Sequence, residues 1–193
     1  FDILREALKA RRSRGRIAIW CCAASTGEEP YSLAITACEA FGSMNPPVSI
    51  HATDVDTQVL DHGAAGVYRL DRIASLSAER QRRFFLRGSG PNEGLCRVVP
   101  ALRALVSFSP LNLLDPHYDV HGPFAAIFCR NVMIYFDKPT QYLVLSRLKP
   151  LLEPDGLLFA GHSESFFHAA DLFQSCGRTV YRHAPKTARG NAA

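Results

Sequence analysis

The chain has 193 residues, 47% hydrophobic and 21% charged, with 22 Lys plus Arg against 18 Asp plus Glu. That length suits one α/β domain carrying a small insertion, and the apolar content is enough for a core, which excludes a disordered chain. No apolar run approaches the roughly 20 residues that span a bilayer, no basic-then-apolar leader opens the sequence, and a net charge of +4 is too small to define a nucleic-acid partner.

The six cysteines, Cys21, Cys22, Cys38, Cys96, Cys129 and Cys176, form no CxxC pair. They read as buried free thiols of a reducing cytoplasm, with neither a disulfide frame nor a zinc site. The first residue is Phe1 and not Met, so the chain reads as a piece of a longer polypeptide.

Residues 1–16 read as an amphipathic basic helix with Ile3, Leu4 and Leu8 on one side. RIAIWCCAA follows as a strand and STGEEP as a turn cluster; YSLAITACEAF then has helical spacing, ended by Gly42 and Asn45-Pro46-Pro47. VSIHATDVD reads as a second strand leading to a helix near Gln58–Ala65. LRALVSFSP, FAAIFCRNV and GLLFAGH read as further strands, and QYLVLSRLKPLL as a helix that stops at Pro154-Asp155-Gly156. LFQSCGRTVYRHA reads as an antiparallel hairpin and TARGNAA as a frayed tail.

Strands that alternate with helices and are nearly continuous in apolar residues predict a parallel sheet covered on both faces. The stretch from Tyr68 to Val106 departs from this pattern: it holds a charged helix (SAERQRRFFLR), a Gly/Pro/Asn loop (RGSGPNEG) and the short strands LCRVV and LRALV. It is too long for an ordinary loop and reads as an inserted subdomain.

In an open α/β sheet the ligand sits beyond the carboxyl ends of the strands. After the first strand that place is held by Cys21 to Pro30, whose small side chains let a ligand approach the main chain. Ser25 and Thr26 each precede a Glu by three residues, so a doubled capping box is an equally good account of the segment. Glu28 and Glu29 would repel a phosphate, and no GxGxxG or P-loop is present, so a nucleoside cofactor with a cationic tail fits better. S-adenosylmethionine is such a molecule. Asp54, ending the second strand, is placed to accept both hydroxyls of a ribose; the competing account is a helix cap by Asp54 or Asp56.

Asn112-Leu113, Cys129-Arg130-Asn131 and Tyr135-Phe136 lie at the ends of later strands, where they could fix adenine and the methionine moiety or serve as loop caps. His162 in GHSES reads as a satisfied structural histidine, because H-x-E lacks a third ligand at metal spacing. Basic residues cluster at 5–16 and at Arg80, Arg82, Arg83 and Arg87, either as solvated faces or as a surface for an acidic partner. Sparse aromatic residues among them make single-stranded nucleic acid a poor fit.

The segments IWCCAASTGEEPYSLA, HATDVDTQVL, LNLL, FAAIFCRNVMIYFDKPTQ and PDGLLFAGHSE are similar, in this order, to the signatures of the chemotaxis receptor methyltransferases, the CheR family. The resemblance runs from Ile17 to Tyr181 and is far more specific than a lone S-T-G-E-E. It implies an α/β, Rossmann-like class I methyltransferase: a mainly parallel sheet, an antiparallel C-terminal hairpin and a small inserted β-subdomain. The cofactor domain would cover 1–67 and 107–193, and the receptor-docking subdomain 68–106.

By position, the resemblance assigns cofactor contacts to Ala24, Ser25, Thr26, Gly27, Glu29, Asp54, Asn112, Leu113, Arg130 and Asn131, and sets Tyr135 beside the reacting methyl. It implies no metal. RGSGPNEGLCRV resembles the extended loop with which some members dock a receptor's C-terminal pentapeptide, which makes Arg87, Gly88, Gly90 and Arg97 the docking edge, by strand addition. The implied activity is methylation of glutamate side chains on chemoreceptors, with S-adenosyl-L-homocysteine as by-product, by a cytoplasmic monomer that neither enters the membrane nor binds nucleic acid. The family's amino-terminal basic helical domain and its T-x-F-F-R-type segment have no counterpart in the sequence, which resembles the catalytic domain without its lid. Two other classes remain to be weighed: a nucleotide-dependent oxidoreductase, and a non-catalytic receptor-binding signalling module that retains cofactor binding.

Overall fold

The run IAIWC, buried at four of its five positions, forms strand β1 (Ile17–Cys21), and the loop after it turns the chain into helix α2 (Glu28–Phe41). The structure is a computed structural model that describes residues 1–185. It divides into two compact units, Phe1–Asp119 and the remainder from Val120.

In the first unit, β2 (Val48–Asp54) pairs in parallel with β1, setting Ile19 beside Ile50, and β6 (Val106–Pro110) pairs in parallel with β2. Helix α2 is buried on several sides, at Tyr31, Leu33, Ala34, Ala37 and Cys38 among others, as a helix packed against both a sheet and another helix must be. That other helix is α1 (Asp2–Ala10), which buries Leu4 and Leu8 one turn apart. It is shorter than the helix expected over 1–16, and Ile3 is exposed. Arg11 leaves helical geometry and Gly15 adopts φ +81, so the chain turns directly into β1.

Helix α3 (Thr57–Ala65) leads into a separate antiparallel sheet of three strands, β3 (Val67–Arg69), β4 (Phe85–Arg87) and β5 (Leu95–Val98), with β5 in the middle. A 3₁₀ turn (Leu70–Ile73) and helix α4 (Ala78–Phe84) connect β3 to β4. Arg80 of α4 forks onto both oxygens of Glu39 on α2, at 2.6 and 2.7 Å. The strand expected at LRALV is not formed: residues Pro100–Arg103 are helix α5, and pairing resumes only at Val106. Pro100 explains this, since its fixed φ suits the first turn of a helix.

In the second unit, the wholly buried β7 (Phe124–Cys129) pairs in parallel with β8 (Leu152–Ala160), and the Phe128 and Phe159 rings stack at 4.2 Å. Helix α6 (Lys138–Leu148) starts at Asp137, whose carboxylate accepts the Thr140 N–H at 3.0 Å, and buries Gln141, Val144, Leu145 and Leu148. It does not run to Pro154-Asp155-Gly156. Pro150 ends it in a 3₁₀ turn, and those three residues form an irregularity inside β8, where the register steps from Phe124↔Leu152 to Ala126↔Leu157. The expected hairpin is β9 (Phe173–Gly177) and β10 (Val180–His183), with β10 antiparallel to β8. The tail expected at 187–193 lies outside the described residues.

The architecture is thus mainly parallel α/β, with an antiparallel C-terminal hairpin and a small antiparallel sheet between β2 and β6. Five of the cysteines are buried free thiols, whereas Cys176, on the hairpin, is exposed. Among the described residues no helix is long and apolar enough to cross a membrane, and no group of three or more His, Cys, Asp or Glu side chains could hold a metal ion.

Candidate functional site

The loop after β1 is shaped by main-chain bonds to the end of β2. Ala24 N–H donates to the Thr53 carbonyl at 2.9 Å, and Ser25 N–H donates to Asp54 Oδ2 at 2.8 Å. Ser25 takes φ +47, a left-handed conformation uncommon for residues other than glycine and one that tends to gather at functional sites. Gly27, at φ +94, begins α2; a Cβ there would lie 2.9 Å from both Gly63 Cα and Tyr68 Oη, so only glycine fits. Tyr68 donates its hydroxyl to the Thr26 carbonyl at 2.7 Å, and burial pushes its phenol up, keeping it a donor.

The doubled capping box is not formed. Gly27 is the N-cap residue and no side chain caps α2. Thr26 instead donates to Glu28 Oε2, and Arg72 donates to Glu28 Oε1, each at 2.5 Å. Burial raises the Glu28 carboxyl, but these two bonds outweigh it and leave the group below its ordinary value. Glu28 is therefore held by an ion pair inside the protein, while Glu29 accepts the Cys21 thiol at 3.4 Å. Asp56 caps α3 by accepting Gln58 N–H at 2.8 Å, while Asp54 accepts Ser25 N–H through Oδ2 at 2.8 Å and Asp56 N–H through Oδ1 at 3.2 Å.

Asn112 and Leu113 follow β6, where Leu111 N–H donates to the Asp54 carbonyl at 2.9 Å. Asn112 accepts Leu114 N–H at 3.0 Å, closing a turn on its own side chain. Tyr118 donates to the Leu113 carbonyl at 2.6 Å and sets its ring edge-on to buried Trp20. In the first unit, then, the structure ties Ala24 and Ser25 to Thr53 and Asp54, sets Thr26 and Gly27 beside Tyr68, and ties the segment leading to Asn112 to the same strand end.

In the second unit, Arg130 and Asn131 follow β7, and Asn131 is also left-handed, at φ +59. Tyr135 lies on a 3₁₀ turn (Met133–Tyr135) and is 78% exposed, while Phe136 is half-buried. His162, expected as a satisfied structural histidine, is exposed; the buried polar group of GHSES is Glu164. Chain position misdirected that reading, because only an acceptor can satisfy the main-chain N–H groups that converge there. Gln141, also unsignalled by the sequence, donates Nε2 to the carbonyls of Met133 and Phe136 at 2.8 and 3.0 Å.

On the small sheet, Gly88 N–H donates to the Leu95 carbonyl at 2.9 Å, Gly90 opens a 3₁₀ turn, and Arg97 Nε reaches the Ala65 carbonyl at 3.3 Å. A groove of about 310 Å³ is lined by Leu86, Arg87, Gly88, Asn92 and Arg97, and another of about 540 Å³ runs along α4 and β4 past Ile73, Phe85 and Arg82. The basic clusters are partly used internally: Arg80 pairs with Glu39, and Arg12 donates to the Ala40 carbonyl and lies over the Phe41 ring.

These features define an α/β domain with a small-residue loop after its first strand and an acidic anchor at the end of the next, the pattern of nucleoside-cofactor proteins. The family model described as "CheR methyltransferase, SAM binding domain" matches residues 1–182. A chemotaxis protein methyltransferase 2 of Pseudomonas aeruginosa (strain PAO1) is 55% identical over 185 residues, covering 95% of this chain and 66% of its own length. Chemotaxis protein methyltransferases of Salmonella typhimurium (strain LT2) and Escherichia coli (strain K12) are 53% and 52% identical, covering 94% and 89% of this chain and 62% and 60% of their own. The chain belongs to the CheR methyltransferase family, as its S-adenosylmethionine-binding domain. It spans between 60% and 66% of the length of these relatives.

Proposed function

We propose that this protein methylates glutamate side chains on the cytoplasmic helices of chemoreceptors, forming γ-methyl esters. The observation that carries the reading is the Ser25 N–H bond to Asp54 Oδ2, which joins a family-matched small-residue loop to the acidic residue ending β2. The residues fit S-adenosylmethionine by their chemistry: the loop from Ala24 to Gly27 carries only small side chains, and a carboxylate, suited to a diol, stands at its base.

Bound S-adenosylmethionine would supply a methyl group made electrophilic by a sulfonium. Asp54 accepts the ribose hydroxyls; Ala24, Ser25, Thr26, Gly27, Glu29, Asn112 and Leu113 line the rest in the first unit, and Arg130 and Asn131 take the roles the family resemblance gives them. A receptor carboxylate is already ionised and needs no general base. Attack of that carboxylate on the sulfonium methyl would release neutral S-adenosylhomocysteine and would ask no side chain of this protein to take a proton. Catalysis rests on alignment and exclusion of water, with the exposed Tyr135 phenol orienting the incoming carboxylate.

Residues 68–106, which carry all of the small sheet but Val67, dock the receptor's C-terminal pentapeptide, and the cofactor domain comprises 1–67 and 107–193. Edge strand β4 supports this reading. Gly88 bonds back to Leu95, so by antiparallel alternation the N–H and C=O of Arg87 face away from β5, free to accept an added strand. Arg87 and Arg97 complement an acidic peptide. The protein acts in the cytoplasm, as a monomer.

The test is transfer of labelled methyl from S-adenosylmethionine to receptor-containing membranes. Base-labile label supports the proposal. Binding of S-adenosylhomocysteine without transfer would instead favour a non-catalytic receptor-binding module. The oxidoreductase alternative is set aside by the family match.

A further inference from the structure

We infer that Glu164 is a positioning residue for methyl transfer: its carboxylate holds the main chain of Asn131–Met133 in the conformation that presents Arg130, Asn131 and Tyr135. The inference rests on the function proposed above.

Glu164 is 7% exposed. Its Oε1 accepts the N–H groups of Val132 and Met133, at 3.0 and 2.8 Å. Its Oε2 accepts those of Asn131, at 3.0 Å, and Gly161. A buried carboxylate is costly unless its lone pairs are filled, and here main-chain dipoles fill them. Successive N–H groups converge on one anion when a left-handed residue is followed by a right-handed one, the geometry of an anion-binding nest. Asn131 at φ +59 is followed by Val132 at φ −121, ψ −33, a turn conformation of that kind outside the helical well. The anion thus accounts for the left-handed Asn131, a conformation asparagine tolerates better than most residues.

The cradle is closed on its other sides. A Cβ on Gly161 would lie 2.7 Å from Glu164 Oε2 and 3.0 Å from Asn131 N. Glu164 N–H donates back to the Gly161 carbonyl at 3.1 Å. Met133 is held at both of its main-chain groups, its N–H by Glu164 and its carbonyl by Gln141. Tyr135 therefore projects an exposed side chain from a main chain fixed beneath it.

Glutamine is not a substitute. In either orientation its amide sets an NH₂ against two N–H donors. We expect Glu164→Gln in the intact protein to bind S-adenosylhomocysteine at least about tenfold more weakly, to lose at least about tenfold in kcat, and to shift the Val132 and Met133 amide resonances. Glu164→Asp keeps the charge with a shorter reach and is expected to retain part of both; it decides the matter if the Gln variant does not fold. A folded variant with displaced amides but wild-type affinity and turnover overturns the inference, as does one that changes only the melting temperature. Wild-type protein that fails to bind S-adenosylhomocysteine overturns the proposed function itself, and with it this role for Glu164.

Discussion

The hydroxyl of Tyr68 donates to the main-chain carbonyl of Thr26 at 2.7 Å, so the first strand of the small sheet holds the loop at the carboxyl end of β1. Arg72, one turn further along, makes a second link through Glu28. The sheet assigned to docking and the loop assigned to the cofactor are therefore one hydrogen-bonded unit.

Removing the hydroxyl leaves the Thr26 carbonyl without this donor while keeping the ring, which packs against His62 and Tyr31. Tyr68→Phe should cost about 1–2 kcal/mol of stability and weaken S-adenosylhomocysteine binding. Urea denaturation together with calorimetric titration checks both effects; an unchanged denaturation midpoint would count against the bond.

At Gly27 two penalties coincide, a positive φ and the absence of space beside Gly63. Gly27→Ala should destabilise by about 1–3 kcal/mol and abolish measurable cofactor binding. Thermal unfolding and titration read these outcomes separately.

Asp54 anchors Ser25 and, in the proposed function, the ribose. Asp54→Ala should weaken S-adenosylhomocysteine binding by about ten- to a hundredfold, as expected for losing hydrogen bonds to a charged group. Unaltered affinity in calorimetry would remove the ribose assignment.

The strand–helix alternation was legible because β1, β2 and β7 are apolar runs bounded by turn residues. The loop from Ala24 to Gly27 was legible because small residues between a strand and a helix have few other uses. What escaped reading depends on partners far along the chain. Tyr68 is 42 residues from Thr26, and Glu164 is 33 from Asn131, so neither bond leaves a local pattern. The capping-box spacing at Ser25 and Thr26 was real but unused, because a left-handed Ser25 directs its N–H to Asp54 instead. Pro154-Asp155-Gly156 looked like a terminator, and its place inside β8 follows from the register step against β7.

The Glu28 carboxyl is depressed below its ordinary 4.5, with burial opposing and the bonds from Thr26 and Arg72 prevailing. A depressed folded value means that the unfolded chain binds the proton first. The contribution is present above about pH 4.5 and is lost as pH falls through the lower folded value. Because both partners are partly exposed, solvent keeps the effect small. Arg72→Ala should lower stability slightly at neutral pH and leave it unchanged in acid, which flattens the acid limb of stability against pH. Denaturant titrations at pH values on either side of 4.5 check this.

The most direct measurement is mass-spectrometric mapping of receptor peptides after incubation with the intact protein and S-adenosylmethionine. The account predicts a methyl increment on glutamate residues of the receptor's cytoplasmic helices, removed by mild base and reduced strongly by Tyr135→Phe. Methylation confined to lysine or arginine, or none with a protein that binds S-adenosylhomocysteine normally, would contradict it.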